Sequence, residues 1–486
     1  MTVQPQESRK LPTDAAVPAP DWLCLLGTSE QGGRDYAPVV EGDLPVELNG
    51  ALYRNGPGLF ERGGVRKRHL LDGDGLIQRL SFAAGRVRYQ NSFVRTPKFV
   101  AEEKAGRLLH ATWTTHRPGG ALRNLGGGGI ESQAGVTVNP VYGRVIARDE
   151  AGPSYLLDPE MLTSEGTIAA GDVDKYPGAA FKAHSKMDPE TGEWLLAGQQ
   201  FGRTMTLHHA TYAPGFNLVA HHVHNVPRQV YIHDFFATRR YFVHVLHPCV
   251  FSPMRFLAGT KSFTESLSWH PGEGNVIAVA PREGGDPVFL EAPAAFMWHA
   301  LNAYERNGEI IADFVGYDEP DHFIGDRALF RTLMTGQMGR ADSPGKIRRY
   351  VVDVAAKSIR EEIIDHGNHE FPMLDERRAM AAHKAGYFCT GGPGGLNTGL
   401  KRLDYATGTS DSFDFGPDTH VGEPVFIARP GGSVDEGWLM AQCLDGASGN
   451  SFFALLDAQA VSAGPIARIR LSHHVPLSFH GAWQAA

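Results

Sequence analysis

The sequence predicts an all-β protein, folded as one closed sandwich, barrel or propeller with helical or loop insertions on one face. Three observations predict this class. Short runs rich in β-branched and aromatic residues recur along the chain, most of them end at Gly, Pro, Asn or Asp, and helical periodicity is scarce. No single repeat length stands out, so the blades of a propeller would differ from one another in sequence.

Strand-like runs are spread over the whole chain, and turn sequences separate several of them. The dipeptide Asn307-Gly308 predicts a tight hairpin, because both of its residues tolerate positive φ. The segment Asp188–Glu193 predicts a second turn. The runs themselves are Arg86–Tyr89, Gly143–Arg148, Trp194–Ala197, Tyr241–Val245, Asn275–Val279, Glu309–Phe314, Arg348–Val352 and Trp438–Cys443.

Two segments are the best helix candidates, Phe99–Leu109 and Phe323–Met338, and internal glycines weaken both. Residues 1–34 form an N-terminal arm that is polar, rich in proline at its start and partly loose, with no apolar core of a signal peptide. Beyond Pro20 no stretch resembles a long flexible linker. We therefore expect a single domain over residues 35–486.

Composition excludes several classes of protein. The chain has 486 residues, of which 42% are hydrophobic and 21% charged, and this excludes a disordered protein. The formal net charge of −8 argues against nucleic acid as a partner. No window reaches the ~18 uncharged apolar residues that a membrane-spanning helix needs. Four cysteines lie far apart with no CxxC pair, which predicts a reducing cytoplasm.

Histidine is the unusual residue type, with 22 copies, and imidazole is the commonest side-chain ligand for metals. Most of these histidines fit a surface or hydrogen-bonded role. Four have other settings: His184 lies just before a turn, His233 and His299 lie among bulky apolar neighbours, and His480 lies six residues from the end of the sequence. Their spacing matches no local metal motif. Each is therefore either a hydrogen-bonded core histidine or a ligand.

Three glutamates lie beside apolar, Pro or Gly residues rather than on a charged face: Glu150, Glu370 and Glu423. An exposed loop position is one interpretation. The other is a hydrogen-bond acceptor that orients a metal-binding imidazole and strengthens it as a donor.

Together these segments resemble the carotenoid cleavage oxygenases, which are non-haem iron enzymes, over about residues 35 to 484. The likeness is strongest to the bacterial apocarotenoid oxygenases. The motifs that carry it are Gly50–Gly58, Leu71–Leu76, Phe93–Thr96, Ala183–Pro189, Ile232–Phe235, Trp298–Ala303, Glu370–Pro372, Gly422–Pro424 and, at the C-terminus, His473–Pro476 with His480–Trp483.

The resemblance implies a seven-bladed β-propeller with helical and loop insertions forming a cap over a metal site. It implies one Fe(II) per chain with O2 as co-substrate. Carried over position by position, the ligands and catalytic residues are His184, His233, His299 and His480. The acids that hydrogen-bond three of these imidazoles are Glu150, Glu370 and Glu423. Wide ligand spacing is expected for residues that come from different blades.

Two positions depart from the family pattern. Val136 stands where many relatives carry a threonine whose methyl group crowds an open iron position, and valine supplies similar bulk. Asp149 replaces an aromatic residue that lines the substrate path in related enzymes. Val136, Asp149, Tyr231 and Trp298 are the candidates for lining a substrate tunnel, the last two as aromatic surfaces for a conjugated chain.

The predicted activity is cleavage of one C=C bond of an apocarotenoid or carotenoid into two carbonyl products, among them a retinal-like aldehyde. A stilbene- or phenylpropenoid-cleaving oxygenase of the same fold is the alternative enzyme, and Asp149 is its candidate polar anchor. A propeller that binds a polyene without cleaving it is the alternative of another class. No obligate protein partner is expected.

A polyene dissolves in membranes, so we expect an apolar entrance and peripheral membrane contact by a cytoplasmic enzyme. The segment 250–259 is the candidate for this entrance, since Met, Phe and Leu there surround a lone arginine. The alternative is an ordinary insertion buried between blades.

Overall fold

The computed structural model describes residues 30, 32–325, 327–335, 337, 339–392 and 394–486. Most of the arm expected over residues 1–34 lies outside these residues. The regular secondary structure of the described residues consists almost entirely of antiparallel strands. Their bounds, in chain order, are β1 Asp35–Tyr36, β2 Val39–Gly42, β3 Gly50–Leu59, β4 Glu61–Arg62, β5 Val65–Arg66, β6 Asp74–Ala83, β7 Arg86–Phe93, β8 Thr137–Val141, β9 Arg144–Arg148, β10 Ser154–Leu157, β11 Ser164–Ile168, β12 Ala180–Met187, β13 Trp194–Gln200, β14 Met205–Ala213, β15 Asn217–Val226, β16 Phe236–Ala237, β17 Tyr241–Leu246, β18 Cys249–Phe251, β19 Leu267–Trp269, β20 Asn275–Pro281, β21 Val288–Ala292, β22 Phe296–Arg306, β23 Glu309–Tyr317, β24 Lys346–Asp353, β25 Ser358–Asp365, β26 Asn368–Met373, β27 Ala385–Gly391, β28 Gly399–Asp404, β29 Ser410–Asp414, β30 Thr419–Ala428, β31 Gly437–Asp445, β32 Ser451–Asp457, β33 Pro465–Arg470 and β34 His480–Ala485.

These strands form a seven-bladed β-propeller, as the resemblance implied. Each blade is a sheet of four or five strands, and two short hairpins, β4-β5 and β18-β19, stand apart. From outermost to innermost strand the blades are β1-β7-β6-β3-β34 (blade 1), β11-β10-β9-β8 (blade 2), β15-β14-β13-β12 (blade 3), β21-β20-β17-β16 (blade 4), β25-β24-β23-β22 (blade 5), β29-β28-β27-β26 (blade 6) and β2-β33-β32-β31-β30 (blade 7). Around the axis, innermost strands of neighbouring blades contact one another, namely β34 with β8 and β30, β26 with β30 and β22, and β16 with β22.

The ring closes because the first blade contains the last strand. β34 pairs with β3 in a register that sets His480 opposite Asn55. Apolar side chains fill the spaces between adjacent sheets. One such cluster joins blades 1 and 7 and includes the fully buried Trp438, and another joins blades 4 and 5. Burying the faces of the sheets against each other is the main stabilising contribution in such a layered arrangement.

Each predicted run is confirmed as part of a strand, except that Gly143 lies one residue before β9, and several of the strands extend further than predicted. The hairpin prediction is also confirmed. β22 ends at Arg306, β23 begins at Glu309, and the two residues between them have φ of +54° and +86°. Asn-Gly therefore forms the two-residue turn with positive φ at both positions, which matches the twist of the paired strands.

Three α-helices lie in the described insertions: α1 Pro97–Ala105, α2 Pro253–Leu257 and α3 Ala328–Leu333. Short 3₁₀ turns accompany them at Leu70–Asp72, Ala121–Gly127, Thr264–Ser266, Pro271–Glu273, Glu376–Arg378 and Val461–Ala463. Nowhere in these described elements is there a helix with the length and hydropathy to cross a membrane.

Both helix predictions were wrong in extent. The first helix begins at Pro97, where the Thr96 hydroxyl accepts a hydrogen bond from the Phe99 N–H at 3.0 Å. It stops at Gly106, whose φ of +62° ends helices. Among the described residues of the second segment, only Ala328–Leu333 is helical. Phe323 is buried in the apolar core beside blade 5, so tertiary packing overrides the local pattern there.

Blades 3 and 4 bury a pair of histidines away from the axis. His209 and His244 face each other with their Nε2 atoms 2.8 Å apart, and His209 stacks on Phe242 at 4.3 Å between ring centroids. Both side chains are about 1% exposed. Burial lowers the pKa of His244 to about 3 and lowers the pKa of His209 well below its usual range. Both imidazoles are therefore neutral in the folded protein near neutral pH.

This pair predicts an acid-labile fold. Below pH 6.5 these histidines become protonated in the unfolded chain but stay neutral in the folded protein. The free energy of unfolding therefore falls as the pH falls. For His244 the loss reaches about 2 kcal/mol at pH 5, since each pKa unit is worth about 1.4 kcal/mol. We expect the variant His209→Asn/His244→Asn to lose less stability between pH 7 and pH 5 than the wild type does.

Urea unfolding of the metal-free protein at several pH values measures this difference. The exposed His366, replaced by Asn, is the matched control and should follow the wild type. Equal losses in the double variant and the wild type would contradict the assignment.

Candidate metal centre

Four imidazoles converge at the centre of the ring. His184 comes from β12, His233 from the segment just before β16, His299 from β22, and His480 begins β34. One nitrogen from each lies within 4.8 Å of the corresponding nitrogens of the other three. The Nε2 atoms of His184 and His233 are 3.1 Å apart. Four residues that are distant in sequence thus form one cluster with the spacing of a metal site.

Interruptions in two of the innermost strands aim His184 and His299. In β12 the pairing with β13 shifts between Phe181 and Ser185, which brackets His184. In β22 the register shifts between Met297 and Ala300, which brackets His299. A β-bulge inserts an extra residue and re-aims a side chain out of the regular alternation. Two of the four histidines are therefore placed by irregularities in otherwise regular sheets.

Two of the glutamates also lie beside register shifts in innermost strands. The register of β26 shifts between Glu370 and Met373, and that of β30 shifts between Val421 and Pro424, beside Glu423. A proline lies one or two residues after each of these glutamates, at Pro372 and Pro424. Prolines inside strands mark bulges and edges, so this was the one sequence signal for the interruptions.

Three carboxylates bond to three of the imidazoles at Nδ1. The distances are 2.6 Å from Glu150 to His233, 2.6 Å from Glu370 to His299 and 2.9 Å from Glu423 to His480. An ionised carboxylate only accepts hydrogen bonds, so each Nδ1 carries the proton. Each Nε2 is then left with its lone pair toward the centre of the cluster.

Neighbouring groups keep two of these acids, Glu150 and Glu370, ionised. Burial alone would raise the pKa of Glu150, but the Lys182 ammonium at 3.1 Å and the His233 imidazole outweigh it, and the pKa is lowered. Glu370 is similar: burial opposes ionisation, His299 and the Phe371 N–H favour it, and the pKa is again lowered. Two of the three acceptors are thus anionic in spite of complete burial.

His184 differs from the other three because no hydrogen-bonded carboxylate accompanies it among the described residues. Burial, with the three neighbouring imidazoles, lowers its pKa well below the usual range. It is therefore neutral and able to donate a lone pair. A set of imidazole nitrogens, one from a neutral ring and three from rings hydrogen-bonded to carboxylates, suits a divalent first-row transition metal. The residues present fit the iron that the resemblance implied.

Two cavities meet at the cluster. The first, which we call the apolar cavity, has a volume of about 320 Å³ and is reached by His233, His299 and His480. Its remaining wall is mostly aromatic and aliphatic and includes Trp298 and Phe323. The second, which we call the axial cavity, has a volume of about 390 Å³ and lies beside His184, His299 and His480. Its wall carries polar groups such as the ion pair of Lys186 with Asp234 at 3.0 Å.

The four tunnel candidates separate into two pairs. Val136 and Trp298 line the apolar cavity. Asp149 and Tyr231 are absent from its described lining. The Asp149 carboxylate accepts hydrogen bonds from the backbone N–H groups of Gln133 at 2.6 Å and Ala134 at 3.0 Å, so it fastens a loop instead of facing a ligand.

Tyr231 lies behind the cluster. Its hydroxyl is 3.2 Å from the Glu150 carboxylate and 3.1 Å from His233 Nδ1. It therefore belongs to the hydrogen-bond network that orients His233. Lys182, which bonds to Glu150, is a member of the same network that sequence reasoning missed.

Sequence reasoning also missed two histidines in the wall of the apolar cavity, His69 and His322. The Trp298 indole N–H donates to His322 Nε2 at 2.7 Å, which fixes the indole in the cavity wall. Nothing in the local sequence distinguishes either histidine, because the insertions that carry them approach the cluster only in three dimensions.

Comparison with known proteins gives a consistent relationship over nearly the whole chain. The chain is 29% identical to the apocarotenoid-15,15′-oxygenase of Synechocystis over 97% of its own length and 98% of that protein. It is 28% identical to an isoeugenol monooxygenase of Pseudomonas putida over 92% of its own length and 94% of the relative.

A solved structure supports the same relationship at the level of the fold. The crystal structure of cobalt-substituted Synechocystis apocarotenoid oxygenase superposes with a TM-score of 0.89 at 28% identity, covering 96% of this chain and 99% of that one. The family model described as RPE65, retinal pigment epithelial membrane protein, matches residues 28–485. The chain therefore belongs to the RPE65 family, the family of the carotenoid oxygenases.

Proposed function

We propose that the protein is an Fe(II)-dependent dioxygenase that cleaves one C=C bond of an apocarotenoid into two carbonyl products. The observation that carries the proposal is the four-imidazole cluster open to the apolar cavity. A metal beside an apolar space is what oxidation of an uncharged alkene requires, because such a substrate offers few polar groups to bind.

His184, His233, His299 and His480 would hold the iron. When bound, the iron would supply the activation of O2. Glu150, Glu370 and Glu423 hold the Nδ1 protons of three imidazoles and so keep the rings in the donating tautomer. No side chain is needed as a nucleophile.

The wall of the apolar cavity would position the substrate. Trp298 is fixed by its hydrogen bond to His322, and its ring lies 4.6 Å from that of Phe323 and 4.7 Å from that of His233. Aromatic faces bind a conjugated chain by stacking and apolar contact. Because these rings hold the substrate in a fixed position along the cavity, the double bond that lies nearest the cluster is the one that is cleaved.

A stilbene or phenylpropenoid substrate is the second candidate. The 28% identity to an isoeugenol monooxygenase favours it. Against it, Asp149 is engaged with backbone N–H groups and offers no free carboxylate to a phenol. A polyene binder without activity is disfavoured because all four ligand positions are histidine.

Product analysis after turnover in ¹⁸O2 tests the activity. Cleavage of one alkene by one O2 places one labelled oxygen atom in each of two carbonyl products, so we expect label in both. The iron-loaded protein is incubated with an apocarotenal and, separately, with resveratrol, and absorbance loss and mass spectrometry follow the products. Label in only one product would contradict the dioxygenase, and cleavage of resveratrol alone would favour the second candidate.

Removal of one ligand tests the metal centre. We expect His299→Ala to lose most of its bound iron and all measurable cleavage while remaining folded, since three imidazoles with one orphaned carboxylate hold the metal poorly. Metal analysis and circular dichroism measure the two effects. The exposed His366, replaced by Ala, is the control and should retain iron. Full cleavage by His299→Ala without iron would refute the assignment.

We also propose that the enzyme is cytoplasmic and touches membranes peripherally to collect its substrate. Helix α2 packs on the 3₁₀ segment Ala121–Gly127, and together they expose Leu122, Met254 and Leu257 at 83%, 77% and 52%. Exposed arginines accompany them at Arg123 and Arg255. Apolar side chains with flanking cations suit the surface of an anionic bilayer.

Aromatic rings lead inward from this patch. Phe256 contacts Phe263 at 6.2 Å, Phe263 contacts Tyr231 at 5.9 Å, and Tyr231 contacts Trp298 at 6.4 Å, in each case between ring centroids. The chain of rings ends at the wall of the apolar cavity. The patch is therefore connected to the site by apolar packing.

Flotation with anionic phospholipid vesicles tests this contact. We expect the wild type to float with the vesicles and Leu122→Asp/Met254→Asp/Leu257→Asp to remain at the bottom, because charge on this face opposes insertion. Phe256 is left intact since it packs against Gly127. Met161→Asp, at an exposed site in blade 2, is the control. Identical flotation of all three proteins would refute the proposal.

A further inference from the structure

The axial cavity joins the four-histidine cluster to solvent. His184, His299 and His480 line its interior, whereas the exposed residues Pro189 and Glu376 mark the end that opens to solvent. His184 lines this cavity and is absent from the described lining of the apolar cavity. The cluster is thus accessible from two sides, and the two sides differ in polarity.

The cationic side chains in the wall of the axial cavity are paired with acids. Lys186 lies 3.0 Å from the Asp234 carboxylate. The Arg377 guanidinium donates to the Asp375 carboxylate at 2.6 Å and 2.9 Å. These two ion pairs leave little net charge among the four residues, so an additional carboxylate in the same wall makes it negative.

Glu376 supplies that carboxylate. It begins the 3₁₀ turn Glu376–Arg378, and its carboxylate makes no hydrogen bond or ion pair with a residue that the structure describes. Its recessed position between the walls raises its pKa, and the carboxylates of Glu423 and Asp375 raise the pKa further, while Lys186 opposes them. A cation bound at Glu376 would therefore relieve repulsion among three carboxylates at once.

The two cavities offer different surroundings to a hydrated cation. The wall of the apolar cavity is mostly aromatic and aliphatic, so an ion that entered there would lose water without compensation. The axial cavity is lined by Asn139, Ser185 and Glu376, whose side chains carry oxygen atoms. A cleft with an excess of negative charge also raises the local concentration of cations and their rate of association.

We propose that divalent metal ions enter and leave the four-histidine cluster through the axial cavity, and that the Glu376 carboxylate binds the ion first. This inference rests on the metal centre of the proposed function. Glu376 transfers the ion and is not one of its final ligands, which are the four histidines. The apolar cavity is then left to the alkene.

The rates of metal exchange in both directions test the route. Metal-free protein is mixed with Co(II), samples are quenched with EDTA and desalted at timed intervals, and the retained cobalt is measured. Release is followed from the loaded protein in excess EDTA. The variant is Glu376→Gln. Its matched control is Glu47→Gln, which changes the net charge equally at an exposed site outside the described lining of both cavities.

We expect Glu376→Gln to take up Co(II) about threefold to tenfold more slowly than the wild type, since one charge of the cleft is lost. Release should slow by a similar factor, because a group on the path lowers the barrier in both directions. Occupancy at equilibrium should be unchanged, which also shows that the site is folded. Equal rates in all three proteins would overturn the inference. Slower uptake without slower release would also overturn it, since the charge would then act only on the bound ion.

A further variant tests entry through the other cavity. Leu396→Glu adds a carboxylate to the wall of the apolar cavity, at a residue that is 36% exposed. We expect uptake at the wild-type rate, and faster uptake would overturn the inference. A wild type that holds no Co(II) at equilibrium would remove the metal centre and the route together. Slow exchange in Glu376→Gln with an inactive iron-loaded wild type would remove only the proposed cleavage and leave the route standing.

Discussion

The pairing of β34 with β3 is the constraint on which the rest of the molecule depends. It joins the last strand to the first blade, and only a closed ring brings the innermost strands of all seven blades to one axis. Two buried side chains of β3 secure the joint. Arg54 donates to Ser478 Oγ at 2.6 Å and to the Glu423 carbonyl at 2.7 Å, which ties blade 1 to blade 7.

Asn55 connects blade 1 to its other neighbour, blade 2. Its amide donates to the Ala134 and Thr137 carbonyls at 2.7 and 2.9 Å, which ties blade 1 to blade 2. A neutral buried hydrogen bond contributes about 0.5–1.5 kcal/mol, and leaving such a buried group unpaired costs about 1–3 kcal/mol. Since His480 lies opposite Asn55, the same contacts that close the ring also place a member of the histidine cluster.

Each blade contributes one residue to the centre. Blades 1, 3, 4 and 5 supply the histidines, and blades 2, 6 and 7 supply the glutamates. Burying three carboxylates and four imidazoles is costly, and the structure offsets the cost by pairing them and by adding Lys182 beside Glu150. The imidazole nitrogens are thus held in fixed positions beside a cavity with little polar surface. A metal bound there would lie next to an apolar substrate.

The sequence by itself determined the strand content and the turns, because these follow from local preferences. Asn307-Gly308 forms a tight hairpin turn for a local reason, since both residues tolerate the positive φ that the turn needs. The identity of the seven residues at the centre came from the family resemblance, and spacing alone left each open, because residues on separate blades share no local pattern.

Only the tertiary structure decided which side chains face the cavities. Asp149 was expected in the tunnel, but its carboxylate is taken by the backbone of the loop at Gln133, an orientation that depends on packing between segments. His69 carries no sequence signal, because its insertion reaches the wall of the apolar cavity only in three dimensions. Backbone preference is local and readable from the chain, whereas the direction of a buried polar group is set by whatever partners the fold brings to it.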